Sequence, residues 1–269
     1  MANSHAMVLD EKFDVLVSRP VANRLARLLY RMGLSADQTS MIAAALGVSA
    51  GVLITGPGLW PMLGGLLLVG MVIADCADGA VARLGPPSDR PWRGRIFDGI
   101  ADLSTVLAVH IGMAVALSHA NIVVGGYALG KLEIIALAVA GFFSFSWKSS
   151  VLDDVKQRLK PASVDRDLEK YRDQKKSLFE RFVFWLLVWY VKNSEKLTGA
   201  GRPGGYDLFR HVALIGPTHH LVAIAVAAAL APLAPTVFLS YFLLTIGPGN
   251  LYLWYILARA RRDHAEAEA

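Results

Sequence analysis

Four aspartates dominate the chemistry that this sequence could perform. Asp75 and Asp78 are three positions apart and Asp98 and Asp102 are four apart, so each pair would share one face of an α-helix. Only ten residues, 84–93, separate the two motif segments. A connection of that length makes the two helices antiparallel neighbours, and the four carboxylates can then meet at one point.

The charge of such a cluster limits what it can bind. Adjacent anions repel one another and resist ionisation unless cations compensate them. The ligands are all oxygens, without His or Cys, and this set suits a hard cation such as Mg²⁺, Mn²⁺ or Ca²⁺. Two ions sharing four carboxylates would form the arrangement that clamps phosphoryl groups during in-line displacement. The alternative is a set of structural salt bridges.

The aspartates lie at the ends of long apolar stretches. Of the 269 residues, 54% are hydrophobic and 18% are charged, against roughly 25% charged residues in an average soluble domain. No Asp, Glu, Lys or Arg occurs between Asp37 and Asp75, between Asp102 and Lys131, or in the 48 positions 211–258. Each stretch can cross a bilayer, which takes about 20 apolar residues per helix. The composition therefore excludes an ordinary soluble globule.

We predict an all-α integral membrane protein with six transmembrane helices and an N-terminal amphipathic surface helix. Turn signals at residues 55–58 and at Pro232 and Pro235 divide the longer apolar runs. The predicted spans are 39–55, 59–83, 94–118, 126–148, 206–231 and 236–258. The corresponding regions are a tail with the surface helix (1–36, the helix itself within 14–36), a six-span domain (37–260) and a C-terminal tail (261–269). The single Cys76 excludes a disulfide framework and a multi-cysteine metal site.

The charged segment 149–205 indicates the orientation. Within it, the apolar stretch 182–191 is too short to span and carries interfacial aromatic residues, so we expect it in the plane of the membrane surface. With six spans, 26 of the 27 Lys and Arg residues fall on one side, and only Lys131 falls on the other. The positive-inside rule makes the first side cytoplasmic. We expect a multi-pass protein of the plasma membrane with its site toward the cytoplasm.

The two aspartate segments read D-x2-D-G-x2-A-R, a gap, and G-x3-D-x3-D. This pattern resembles the signature of the CDP-alcohol phosphotransferase family, integral membrane enzymes that make phospholipid head groups. The gap of ten residues replaces the family's usual eight or nine. A second, weaker similarity is LSADQTS at 34–40, where many members have a segment like LSPNQVT. The signature positions are Asp75, Asp78, Gly79, Ala82, Arg83, Gly94, Asp98 and Asp102.

The resemblance implies that an alcohol hydroxyl displaces CMP from a CDP-linked donor and forms a phosphodiester. In family terms Asp75, Asp78 and Asp98 would hold one Mg²⁺ or Mn²⁺ ion. Asp75, Asp98 and Asp102 would hold the second, and Asp102 would also be the catalytic base. The expected nucleotide-binding residues are Ser40, Gly79, Ala82 and Arg83.

Basic side chains near the cytoplasmic ends of the later spans are candidates for binding the acceptor: Lys148, Arg210, His219 and His220. Each has a structural alternative, which is hydrogen-bonded packing for the histidines, flanking the span for Arg210 and snorkelling for Lys148. His110 and His119 lie toward the outer side and are interpreted as structural.

The expected partners are a CDP-linked donor, an alcohol acceptor and membrane lipids, with no nucleic acid; a homodimer is left open. We expect CDP-diacylglycerol as the donor, because the site would open where lipid and cytoplasm meet. One alternative is the same chemistry with a soluble CDP-polyol donor or a diacylglycerol acceptor. An alternative of another class is an ion-coupled transporter whose intramembrane acids bind the transported cation.

Overall fold

Helices make up almost all of the described chain. The computed structural model describes residues 9–86, 91–159 and 205–268, together with six single positions between 178 and 188. A π-helical turn, Asp14–Ser18, leads into the first helix. The helices are α1 (Arg19–Arg31), α2 (Ala36–Ile54), α3 (Trp60–Leu84), α4 (Pro91–His119), α5 (Lys131–Leu159), α6 (Tyr206–Ala213), α7 (Pro217–Leu230), α8 (Thr236–Ile246) and α9 (Pro248–Glu268).

Six helical segments of the described residues are long and apolar enough to cross a membrane. Spans 1 to 4 lie in α2, α3, α4 and α5, span 5 combines α6 with α7, and span 6 combines α8 with α9. The prediction of an all-α membrane protein with six spans is therefore confirmed. The predicted surface segment 182–191 lies outside the described residues apart from four single positions, so its placement stays a prediction.

The start of span 4 differs from the prediction. Residues Val123–Val124 pair with Tyr127–Ala128 in a short antiparallel hairpin, and α5 begins only at Lys131. The two residues of the turn, Gly125 and Gly126, both have positive φ angles, 57° and 85°. Glycine adopts this conformation without steric cost, and two consecutive glycines favour a tight hairpin turn. The predicted start near 126 was wrong, because Gly125 and Gly126 form a hairpin turn there and the helix begins only after it.

The beginning of α2 is set by its own sequence. The side chain of Ser35 accepts a hydrogen bond from the backbone N–H of Gln38, at 3.2 Å, and the Gln38 side chain accepts one from the Ser35 N–H, at 2.9 Å. This reciprocal pair is a capping box, which satisfies backbone donors that would otherwise have no partner. Just before it, Gly33 has a φ of +80° and turns the chain out of α1. Ser40 is thereby held in the second turn of α2.

Close packing on neighbouring helices positions the two motif helices, α3 and α4. A Cβ atom added at Gly51 of α2 would lie 2.7 Å from the Cβ of Ala108 in α4. One added at Gly65 of α3 would lie 2.6 Å from the carbonyl oxygen of Ala225 in α7. Such distances are below van der Waals contact, so only glycine allows the helices this approach. One continuous apolar cluster contains buried residues from α2, α3, α4, α5, α7 and α8.

Spans 5 and 6 are each interrupted. In span 5 the helix stops at Ala213 and restarts at Pro217, after an extended Gly216. In span 6 it stops at Ile246 and restarts at Pro248. Proline cannot donate a backbone hydrogen bond and tends to end or bend a helix, so both interruptions have a local cause. They leave backbone donors and acceptors inside the bundle that need other partners.

Candidate metal centre

Three aspartates from facing helices converge at one point. Asp75 and Asp78 of α3 and Asp98 of α4 each offer a carboxylate oxygen, and these oxygens all lie within 4.8 Å of one another. All three side chains are partly buried. The i, i+3 spacing on α3 places its two acids on one face. Helix α2 packs against both α3 and α4, and this arrangement lets α4 supply the third acid. A small, hard cation suits a ligand set of this size and chemistry.

Asp102 lies one helical turn beyond Asp98 on α4. It interacts electrostatically with Asp75, Asp78 and Asp98, so it belongs to the same patch of negative charge. Its side chain is exposed, and it is not part of the group whose oxygens approach within 4.8 Å. The structure thus separates the four predicted residues into a tight group of three and one accessible neighbour.

Ser40 joins span 1 to this group. Its hydroxyl donates a 2.5 Å hydrogen bond to Oδ2 of Asp78 and also approaches the carbonyl oxygen of Ala36, at 3.2 Å. The Ser40 side chain is almost fully buried. The residue expected to bind nucleotide therefore contacts a predicted metal ligand directly.

The other residues expected to bind nucleotide lie along α3 beyond Asp78. Around Gly79 the helix surface is open, since an added Cβ would meet only the Nη1 atom of Arg83, at 3.5 Å. Ala82 and Arg83 are exposed. We call Asp75, Asp78 and Asp98 the acid group. Arg83 interacts electrostatically with Asp78, which places a cation at the edge of the acid group. This face of α3 can accept a flat or anionic group against the helix.

A second cation was missed by the sequence analysis. Arg95 forms a 2.6 Å ion pair with Asp153 of α5 and also interacts electrostatically with Asp98. Its position three residues before Asp98 on one helix was a usable signal. Asp153 lies in the charged segment that follows span 4, and no feature of that segment identified its partner.

The residues predicted to bind the acceptor make their observed contacts with residues outside the acid group. Lys148 is 0% exposed, and its ammonium group donates to Ser144 Oγ and to the carbonyl oxygen of Thr245, both at 2.7 Å. Thr245 lies in the last turn of α8, so Lys148 places a cation at a helix C-terminus, where it interacts favourably with the helix dipole. Arg210 is exposed. The hydroxyl of Tyr241 lies 3.3 Å from Nδ1 of His220.

An acidic residue of the N-terminal segment binds backbone N–H groups where span 5 is interrupted. Glu11 is 0% exposed, and its two carboxylate oxygens accept the backbone N–H groups of Thr218 and His219, at 3.2 and 3.0 Å. The Nδ1 atom of His219 lies 2.8 Å from the same carboxylate. We call Glu11, Thr218 and His219 the N-terminal latch. It joins residues more than 200 positions apart, which no local pattern could reveal.

Asp14 connects the latch region to the acid-bearing helix. It accepts a 2.9 Å hydrogen bond from the hydroxyl of Thr218, and the thiol of Cys76 lies 3.8 Å from its other oxygen. Burial and the nearby Glu11 carboxylate raise the pKa of Asp14 above its ordinary value. The N-terminal segment is therefore packed beside Asp75 rather than extended away from the bundle.

A separate cavity of about 270 Å³ lies between α6 and α9. Its polar lining includes Asp207, His211, Tyr252 and Arg259. The hydroxyl of Tyr252 and Nδ1 of His211 are 2.9 Å apart. None of the residues predicted for the site lines this cavity.

No known protein family, curated protein or solved structure matches the chain. The family resemblance therefore rests on the signature residues alone.

Proposed function

We propose that this chain is a CDP-alcohol phosphotransferase that moves a phosphatidyl group from CDP-diacylglycerol to an alcohol hydroxyl and releases CMP. The observation that carries the proposal is the convergence of Asp75, Asp78 and Asp98 within 4.8 Å. These residues come from the two halves of the signature, which are separated in sequence and lie on two helices that both pack on α2. A chance similarity of two short patterns would not require that contact.

The residues fit a divalent cation. The donor atoms are carboxylate oxygens, which Mg²⁺ and Mn²⁺ prefer, and Ser40 orients one of the carboxylates. Two such ions, when bound, would neutralise the negative charge that develops on the diphosphate of the donor. Asp75, Asp78 and Asp98 would hold the first ion, and Asp75, Asp98 and Asp102 the second.

In the proposed reaction the alcohol oxygen forms a bond to the β-phosphorus of the donor. The bond from that phosphorus to the oxygen bridging the two phosphates breaks, and its electron pair leaves with CMP. Asp102 accepts the proton of the alcohol. Its exposure, one turn away from the tight group of three, supports this role, because a base must be within reach of the hydroxyl that it deprotonates.

The nucleotide would lie on the open face of α3. Gly79 and Ala82 let a ribose or a cytosine approach the helix backbone, and Arg83 supplies a positive charge beside it. The acids lie near the ends of spans 2 and 3, where a lipid-linked donor and a soluble acceptor can meet. The distribution of Lys and Arg supports an orientation with the site toward the cytoplasm, and we place the protein in the plasma membrane as part of this proposal.

The test is a release assay with the purified full chain. CDP-diacylglycerol, Mg²⁺ and a panel of alcohols are incubated with the protein, and CMP is measured. We expect CMP release with at least one alcohol, loss of release in excess chelator and recovery with Mg²⁺ or Mn²⁺. The variant Asp98→Asn is the matched inactive control. Full turnover without metal, or no release with any alcohol or CDP donor, would contradict the proposal.

The interrupted spans favour a second candidate, an ion-coupled transporter. Transporter sites are often built at broken helices whose half-helix ends meet ions or substrates, and both span 5 and span 6 are broken. Those sites usually lie near the bilayer midplane, whereas the acid group here lies at the ends of its spans. Uptake of Mn²⁺ into liposomes containing the chain, without CMP release, would establish the transporter instead.

A further inference from the structure

The helix α1 presents three different faces. One face packs on the acid-bearing helix, where Ala22 and Ala26 are buried against Ala77, Ala80 and Val81 of α3. These small residues allow close approach of the two helices. The contact lies beside Asp78 in the sequence of α3, so α1 supports the part of the helix that carries the acid group.

The opposite face of α1 is basic. Arg24, Arg27 and Arg31 recur at helical spacing, are exposed, and form no ion pair within the described part of the chain. Arg19 differs from them, because it is paired with Asp10 at 2.6 Å. Three exposed arginines on one helix face make a positive surface that attracts anionic groups.

An apolar strip runs beside the basic face. Val21, Leu28 and Met32 are 44%, 55% and 66% exposed. A helix with an apolar strip next to a row of arginines is typical of an interfacial helix, in which the strip enters the acyl boundary and the cations meet the head groups. A lipid surface accounts for both features, because the strip belongs to a chain with six helical segments long and apolar enough to span a membrane.

We propose that the face formed by Arg24, Arg27 and Arg31 binds the head groups of anionic phospholipids, and that the bound lipid strengthens cation binding at the acid group. The second half of this proposal rests on the proposed function. The coupling is direct, since α1 packs on α3 through Ala22 and Ala26 and the segment preceding α1 is held to α7 by Glu11. A change in the position of α1 on lipid binding is therefore transmitted to α3, the helix that carries Asp78.

The lipid preference is tested on the purified full chain in mixed micelles of phosphatidylglycerol and phosphatidylcholine with identical acyl chains. Native mass spectrometry measures how many lipids of each kind stay bound. Each arginine near an anionic surface contributes about fivefold to the affinity, so three contribute on the order of a hundredfold. We expect the wild-type chain to retain phosphatidylglycerol preferentially, and a triple Gln variant at positions 24, 27 and 31 to lose most of that preference.

The matched control carries the same loss of charge at the other end of the chain. Arg259, Arg261 and Arg262 of α9 are also exposed, and Arg259 is paired with Asp263 at 3.7 Å, so their replacement by Gln should reduce the preference less than the α1 variant does. Equal retention of phosphatidylglycerol by the two triple variants would overturn the proposal.

The coupling is measured as Mn²⁺ affinity by electron paramagnetic resonance in nanodiscs with and without phosphatidylglycerol. Both triple variants experience the same attraction of Mn²⁺ to the charged bilayer, so their difference isolates the contribution of α1. We expect the α9 variant to keep the wild-type gain in affinity and the α1 variant to show a gain several-fold smaller. Equal gains would overturn the coupling, whereas a wild-type chain that binds no Mn²⁺ would overturn the proposed function and leave the lipid preference as a separate result.

Discussion

The hydroxyl of Ser40 donates a 2.5 Å hydrogen bond to Oδ2 of Asp78, and so ties the start of span 1 to the acid group at the end of span 2. Ser40 is nearly buried, and the capping box at Ser35 and Gln38 holds its turn of α2 in place. One carboxylate oxygen of Asp78 is therefore fixed beside Asp75 and Asp98 by a hydrogen bond from span 1.

Replacing Ser40 by Ala should weaken cation binding. A hydrogen bond to a charged group contributes about 1.5 to 3 kcal/mol, which corresponds to roughly 10- to 100-fold in affinity. We expect the Mg²⁺ concentration for half-maximal CMP release to rise by about that factor in Ser40→Ala. The control is Ser118→Ala, because Ser118 donates to the carbonyl oxygen of Val115 within its own helix and far from the acids. An unchanged Mg²⁺ requirement would show that the contact does not orient Asp78.

The variants Asp102→Asn and Asp75→Asn should separate the base from the ligands. Asn keeps the shape and an oxygen donor of Asp but cannot accept the proton, and general-base catalysis contributes about 10²- to 10⁴-fold. We expect Asp102→Asn to lose turnover by at least that factor and to keep metal-dependent binding of the CDP donor. Asp75→Asn should weaken both.

These two variants are compared by measuring donor affinity with and without metal beside turnover. Normal turnover of Asp102→Asn would show that another residue accepts the proton, and His219 and His220 would be the next residues to test. Equal loss of donor binding in both variants would refute the division of roles.

The close approach of spans 2 and 5 predicts a strict requirement for glycine. In Gly65→Ala the new Cβ would lie 2.6 Å from the carbonyl oxygen of Ala225, so the helices must separate. Overpacking of this kind costs about 1 to 3 kcal/mol, and we expect a lower midpoint of thermal unfolding in detergent. The control Gly70→Ala lies on the same helix with its nearest neighbour, Leu46 Cδ1, at 3.9 Å, and should not destabilise the protein. Equal midpoints for the two variants would contradict this packing.

The orientation of the protein in the membrane can be tested by labelling two exposed positions. In a Cys76→Ala background, Pro86→Cys follows span 2 and Val124→Cys lies in the hairpin between spans 3 and 4. We expect an impermeant thiol reagent to label position 124 in intact cells and position 86 only after the cytoplasmic face is exposed. Labelling in the opposite order would invert the topology.

Much of the architecture could be predicted from sequence because membrane insertion depends on local composition. Runs of apolar residues with no charge determine the six spans, since each helix must satisfy its backbone polar groups internally within lipid. The two pairs of aspartates could be assigned to helix faces because helical periodicity is also local. The start of span 4 could not be placed by apolar character alone, because residues 126–130 are as uncharged as residues 134–147 within the span.

The tertiary structure decided which side chains meet. The sequence set Asp98 and Asp102 on one helix face, but the packing of α3 and α4 on α2 brought only Asp98 within 4.8 Å of both Asp75 and Asp78. Likewise, Lys148 and Glu11 carry no sequence signal for their partners, Thr245 and Thr218, which lie far along the chain. Both charges bind backbone groups left unpaired where spans 5 and 6 are interrupted. The cause is physical, because such groups inside an apolar bundle cost free energy until some donor or acceptor reaches them, and only the folded packing determines which residue that is.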